Sequence, residues 1–185
     1  MVQILQEGLP GLEILTLADF PGAPEPEEVG TNYHENALIK SRSATAFTGE
    51  WCIADDAGLE IDALDGAPGL YSKRFGGEGL PFPEKMALIL EKLKDVPEEK
   101  RTAKFRCVVA LSGPDGSEET FEAIREGRIA LEPLGSGGFG YDPIFYVPEL
   151  GKMMAELTPN EKHAISHRGM VLRKVIETLR SRGIG

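Results

Sequence analysis

From Arg101 to Ser112 apolar and polar positions alternate: Phe105, Cys107, Val109 and Leu111 fall on one side, Lys104 and Arg106 on the other. A period of two is that of a half-buried strand. Gly113, Pro114, Asp115 and Gly116 then form a strong turn signal, and Glu119–Arg125 returns as a second strand, so a hairpin is predicted. Elsewhere the period lengthens. Asn32–Phe47 predicts a helix, with Asn32 as its cap and Glu35 completing a box-like pattern. Glu84–Lys94 predicts another, with Met86, Leu88, Leu90 and Leu93 on its buried side. Thr158, Pro159 and Glu161 read as a helix start, and Val171, Leu172, Val175, Ile176 and Leu179 give a closing amphipathic helix. The apolar run Trp51–Ala54 reads as a short strand that stops at two adjacent carboxylates, Asp55 and Asp56. Pro21–Glu28 is a polar, proline-rich loop, Leu70–Pro83 a glycine- and proline-punctuated surface segment, and Gly135–Phe145 a glycine-rich loop running into an apolar strand. Helices alternating with strands, plus one antiparallel hairpin, predict an α/β fold with a mixed sheet.

Composition narrows what such a fold can do. A length of 185 residues with 41% hydrophobic positions predicts a single domain with a real core. The formal net charge of -10 argues against a general nucleic-acid binder, which needs a basic face to displace counterions. It leaves room for one small polyanion held by a local basic cluster or a metal. No apolar run approaches the ~20 residues of a membrane span, and no basic-then-apolar leader opens the chain. Cys52 and Cys107 both sit in apolar runs and are expected as buried thiols. These features predict a cytoplasmic protein without membrane or nucleic-acid partners.

Four stretches carry candidate chemistry. Asp55 and Asp56 are either turn residues or a hard-metal site, since adjacent carboxylates ionise together cheaply only beside a cation. Neighbouring residues on a strand face opposite ways, so one would touch a metal and the other would orient a neighbour or a water. Glu35 is either a first-turn acid complementing the helix dipole or a second metal carboxylate. In Gly137–Pro143 the glycines allow close approach of a ligand, and Phe139 and Tyr141 either stack on a planar base or rejoin the core. Lys162, His163, His167 and Arg168 are either a solvated basic patch or a set of donors for phosphate and carbonyl oxygens. His163 and His167 lack the Glu of a zinc-binding HExxH helix, so zinc is not expected.

The stretches "ENALIK", "IADDAGLEIDALDGAPGLYSKRF", "GSGGFGYDPIF" and "AELTPNEKHAISHRG" closely resemble, in order, the inosine triphosphate pyrophosphatase family, the non-canonical purine nucleoside triphosphate (dITP/XTP) pyrophosphatases. The likeness runs from about Leu9 onward. It implies a two-lobed α/β fold with a long mixed sheet flanked by helices, a homodimer, Mg2+ dependence, and hydrolysis of ITP, dITP and XTP to the monophosphate and pyrophosphate. Matched residue by residue, it implies Asp56 as general base and metal ligand, with Asp55 supporting, and Glu35 as the other metal carboxylate. Ala57 falls where relatives often carry Ser, so only a backbone contact transfers. Phe139, Gly140, Tyr141 and Asp142 match the base-pocket loop, Lys162, His167 and Arg168 match substrate contacts, and Lys40 matches a basic residue near the phosphates.

One departure stands out. Family members open with a strand and a Ser/Thr-x-Asn-x-x-Lys-x-x-Glu segment that grips the triphosphate. Here Met1 aligns with that motif's Lys and Ile4 with its Glu. The resemblance therefore implies an N-terminally incomplete domain over 1–185 and, as an alternative to full activity, a weak or silent nucleotide-binding homologue.

Overall fold

The structure, a computed structural model, describes residues 1–184. Among the described residues there are five α-helices: α1 (Val2–Gly8), α2 (Tyr33–Thr48), α3 (Phe82–Lys92), α4 (Pro159–Ile165) and α5 (His167–Ser181). The strands β1 (Cys52–Ile61), β2 (Thr102–Ser112), β3 (Glu118–Ile129), β4 (Phe145–Val147) and β5 (Lys152–Met153) form one sheet in the order β1-β2-β3-β4-β5. The α/β class with flanking helices is the one the sequence predicts. The sheet is not the mixed one expected but an antiparallel meander: each strand lies beside its predecessor in sequence, so no parallel crossover is needed. Arg128 pairs with Tyr146 and Ile129 with Phe145, then Tyr146 with Met153 and Val147 with Lys152. The β2–β3 hairpin closes at the expected turn, Gly113 N–H donating to the Ser117 carbonyl and Gly116 taking φ 82°.

Contacts divide the chain into two compact units. Unit 1 comprises Met1–Asp56, Cys107–Ala123 and the chain from His167; unit 2 comprises Ala57–Arg106 and Ile124–Ser166. In unit 2, Leu59, Ile61, Ile89, Leu93, Ile129, Ile144, Phe145 and Val147 are fully buried and form one cluster with Met86, Phe105 and Met154. In unit 1, α1 packs on α5, Arg180 donates to the Gly8 carbonyl, and a Cβ at Gly8 would collide with Ile176. Ala37 of α2 packs with Val108 and Ala110 of β2. No helix among the described residues is long and apolar enough to cross a membrane, and both cysteines are free thiols.

Three elements differ from the sequence reading. The tryptophan-bearing strand does not stop at the aspartates; β1 runs through both to Ile61, burying Leu59 and Ile61 beyond them. Charged residues are tolerated mid-strand because each finds its own partners. Helix α3 buries Met86, Ile89 and Leu93, while Leu88 is exposed: the true apolar row follows i, i+3, i+7. And β3 extends to Ile129, where it pairs with β4. Helix α2 is capped as predicted, Asn32 accepting from Glu35 N–H, with Gly49 left-handed at its end.

Candidate active site

In unit 1 the two aspartates of β1 engage different helices. Asp56, 9% exposed, accepts from Asn36 Nδ2 of α2 at 3.2 Å and from Lys40 Nζ, one turn further along α2, at 3.3 Å. Lys40 also donates to Glu28 Oε1 at 2.8 Å, so its ammonium bridges two carboxylates. Asp55 instead accepts from Arg168 Nε of α5 at 2.9 Å, and the Cys107 thiol of β2 lies 3.9 Å from the same oxygen. This is the division that a strand's alternation imposes.

Asn36 is the hinge of the cluster. Fully buried in α2, it accepts from Gly30 N–H at 2.8 Å while donating to Asp56. Its neighbour Glu35 accepts from Thr31 N–H at 2.6 Å and from the Thr31 hydroxyl at 2.9 Å. The loop before α2 is thereby tied down by two successive side chains. Gly30 is required there: a Cβ would stand 2.6 Å from Asn36 Oδ1 and 2.7 Å from Glu35 Cβ. Glu35 and Asp56, the two carboxylates expected to share a metal, are thus linked through Asn36 and the Gly30–Thr31 loop. Among the described residues no three His, Cys, Asp or Glu side chains are grouped so as to hold an ion.

The electrostatics follow from burial. Burial pushes the Asp56 carboxyl above the usual carboxylate range; Lys40 and Asn36 pull it back by less, and Glu28 adds to the rise. Burial works to lower the Lys40 ammonium, but the hydrogen bond to Glu28 and the charges of Asp56, Glu28 and Asp55 outweigh it, so Lys40 is held above its ordinary value. The asymmetry has a plain cause: Lys40 faces three carboxylates, whereas Asp56 has one ammonium and another acid nearby. Glu35 lies below its usual range because both Thr31 donors favour its charged form.

These side chains fit a hard divalent cation. All the acids offer carboxylate oxygens, and the Lys40 ammonium already sits as a cation between Glu28 and Asp56. Magnesium commonly takes one or two protein carboxylates and fills its remaining positions with water and phosphate oxygens. Sequence reasoning missed Glu28, hidden in a proline-rich loop, and Asn36. A buried Asn in a helix interior, where its propensity is poor, was the available signal for the second.

Unit 2 carries the glycine-rich loop. Phe139 is 58% exposed, with Lys162 Nζ of α4 4.2 Å from its ring centroid. Lys162 is ion-paired to Asp142, which also accepts from Phe139 N–H at 2.8 Å. Gly138 is obligatory, since a Cβ there would overlap Asp142 Oδ2 and φ is 73°. Gly140 is also left-handed, at φ 66°. Asp142 is buried, and so positions Phe139 and Lys162. Of the two readings open for Tyr141, its side chain takes the one that rejoins the core. It is 3% exposed, stands edge-on to Phe82 and donates to the Ser72 carbonyl at 2.8 Å. Its side chain pins the loop while Phe139 is presented. Tyr141→Phe should lower unfolding free energy by about 1 kcal/mol, the net worth of one hydrogen bond, readable as a downward shift in thermal midpoint. Ala57, half-buried in β1, begins this unit.

His167 is buried at the start of α5, next to Arg168. His163 lies on α4, which ends at Ile165 with Ser166 in extended geometry, so the two histidines do not share a helix.

The sequence profile of the Ham1 family matches residues 1–178. The chain belongs to the Ham1 family. It is 49% identical over 165 residues to a dITP/XTP pyrophosphatase of Exiguobacterium sibiricum, covering 89% of this chain and 83% of that one. It is 46% identical over 183 residues to a dITP/XTP pyrophosphatase of Geobacter sulfurreducens, covering 99% and 92%. The structure of a HAM1 protein from Coxiella burnetii superposes with a TM-score of 0.88 at 42% identity, over 97% of this chain and 92% of that one. The fold of this chain is therefore the Ham1 fold.

Proposed function

We propose that this Ham1-family chain hydrolyses non-canonical purine nucleoside triphosphates (ITP, dITP and XTP) to the monophosphate and pyrophosphate, removing them from the nucleotide pool. The names of the relatives support the substrate class. The observation that carries the chemistry is Asp56: a carboxylate with raised proton affinity, fixed by Asn36 and set against a lysine. Such a group can take a proton from water as the water attacks the α-phosphorus. Lys40 supplies positive charge to the phosphates, and Asn36 keeps Asp56 oriented. Mg2+, held by Glu35 and Asp56, would neutralise and align the phosphate oxygens. Phosphoryl transfer needs mainly positioning and charge neutralisation, and both are at hand here. Lys40 and Arg168 are local, whereas most of the net charge of -10 is spread over the surface and screened. A homodimer in the cytoplasm completes the proposal, on the family resemblance.

Selectivity rests on the base. Hypoxanthine and xanthine carry an oxygen at C6, adenine an amine. Donors from Arg168 or His167 pair with the oxygen and are left facing a donor when adenine is offered. In unit 2, exposed Phe139 offers a ring face on which a planar base can stack.

The deciding experiment incubates the chain with dITP and Mg2+ and identifies the products. Pyrophosphate with dIMP supports the proposal; orthophosphate with dIDP overturns it. Arg168→Ala should reduce kcat/KM for dITP and narrow its advantage over dATP about 10- to 100-fold, the equivalent of about 1.5–3 kcal/mol. An unchanged dITP/dATP ratio would place base recognition elsewhere.

A further inference from the structure

Arg168 stands in an unfavourable place for a cation. It is the second residue of α5, whose first turn contains no acid. The N-terminal end of a helix carries partial positive charge, so a guanidinium there is repelled by the dipole. The counter-charge comes from another element. Asp55 Oδ2 accepts from Arg168 Nε at 2.9 Å, and the Cys107 thiol lies within 3.9 Å of the same oxygen. Cys107 is buried, and burial pushes its thiol up, so it stays protonated and can donate. The side chains of the ion pair are 21% and 28% exposed, so solvent reaches both.

We propose that Asp55 is a positioning residue for substrate selectivity: its carboxylate fixes the Nε edge of Arg168, so that the terminal guanidinium nitrogens are held in one orientation for the C6 oxygen of the base. This rests on the reading of Arg168 as the base-recognising group. It also accounts for two adjacent aspartates mid-strand. One side chain serves the reacting end through α2, the other serves recognition through α5, and a strand's alternation delivers both from consecutive positions. Alternative functions of Asp55 are weaker. A partly exposed ion pair contributes little to stability, so a purely structural role explains the contact poorly.

The test compares Asp55→Ala and Asp55→Asn with the wild type. Asp55→Ala should raise KM for dITP about tenfold with kcat within about threefold, because the base lies away from the scissile bond and its contacts act as binding. The dITP/dATP preference should fall by the same factor. Asp55→Asn, whose amide oxygen still accepts from Nε, should stay within about threefold of wild type in both. The thermal midpoint of each should move by no more than about 3 °C. In an Arg168→Ala background, Asp55→Ala should change kcat/KM less than about twofold, since the residue it acts through is gone. The inference is overturned when Asp55→Ala keeps the wild-type preference, or when its loss multiplies with that of Arg168→Ala. A wild type that shows no preference for dITP overturns the functional reading itself, and this inference with it; the two failures are told apart by that control.

Discussion

Asp56→Asn should lower dITP turnover about 10³-fold, the middle of the range for losing a positioned general base, and should leave the protein no less stable. Both halves follow from one fact. Asp56 is buried enough that its folded-state proton affinity exceeds that of the unfolded chain. For an acid shifted in that direction, the stabilising contribution is full below the ordinary carboxylate range and is lost as pH rises through the folded value. Above that folded value it has been lost, and the ionised carboxylate is a cost to the fold that Lys40 and Asn36 offset only in part. Asparagine removes the charge, can still accept from a neighbour, and leaves Lys40 its bond to Glu28. The variant should therefore melt at or above the wild-type temperature at pH 7, with the difference shrinking as pH falls into the carboxylate range. Steady-state kinetics with dITP and melting curves at two pH values check the pair. Activity within tenfold of wild type would remove Asp56 from the chemistry; a melting point several degrees lower would show that the carboxylate is structural. A site that weakens the fold in order to keep a reactive group is the usual exchange between stability and activity.

Much of this was legible in the chain. The caps of α2 and α4 follow from side chains reaching a few residues along the same segment, and local chemistry is what a sequence displays. The β2–β3 hairpin follows from a turn that few other sequences would serve. What failed depended on partners distant in sequence. Asp55 and Asp56 look like a strand end because two acids in a row are poor strand formers; they sit mid-strand because Asn36, Lys40 and Arg168, far off in the chain, engage them. Leu88 looks as buried as Ile89, and only the helix's actual rotation separates them. Phe139 and Tyr141 are two residues apart in one loop. Their opposite fates are decided by Ser72, which offers a carbonyl to a hydroxyl that Phe lacks. Glu28 carries no local signal in its proline-rich loop, because its role is to hold Lys40 twelve residues on.

Arg101 gives the extreme case, and the second large effect. In the sequence it is only the residue opening an alternating strand. In the structure it is 3% exposed, and its guanidinium donates to three carbonyls: Leu93 at 2.7 Å, Val96 at 3.0 Å and Ala130 at 3.1 Å. Leu93 is the residue that ends α3, so the charge also lies where the helix dipole favours a cation. One side chain thus closes α3, holds the segment after it and ties both to the residue that follows β3. All these partners belong to unit 2. Arg101→Met keeps most of the apolar stem but leaves three buried carbonyls without their donor. Hydrogen bonds to a charged group contribute about 1.5–3 kcal/mol each, and three that share one donor group do not add fully, so the expected loss is about 3–5 kcal/mol. That is a large part of the ~5–15 kcal/mol that holds a typical domain together. In urea the midpoint should fall by about 1–2 M with little change in slope. Arg101→Lys should recover less than half of it, because a single ammonium cannot span three acceptors arranged for a planar fork. The fraction that remains folded should hydrolyse dITP at the wild-type rate, since none of Arg101's partners belongs to the Asp56 cluster. A midpoint shift below about 0.3 M would mean that water replaces the guanidinium without cost, and that α3 is held by its buried face of Met86, Ile89 and Leu93 alone.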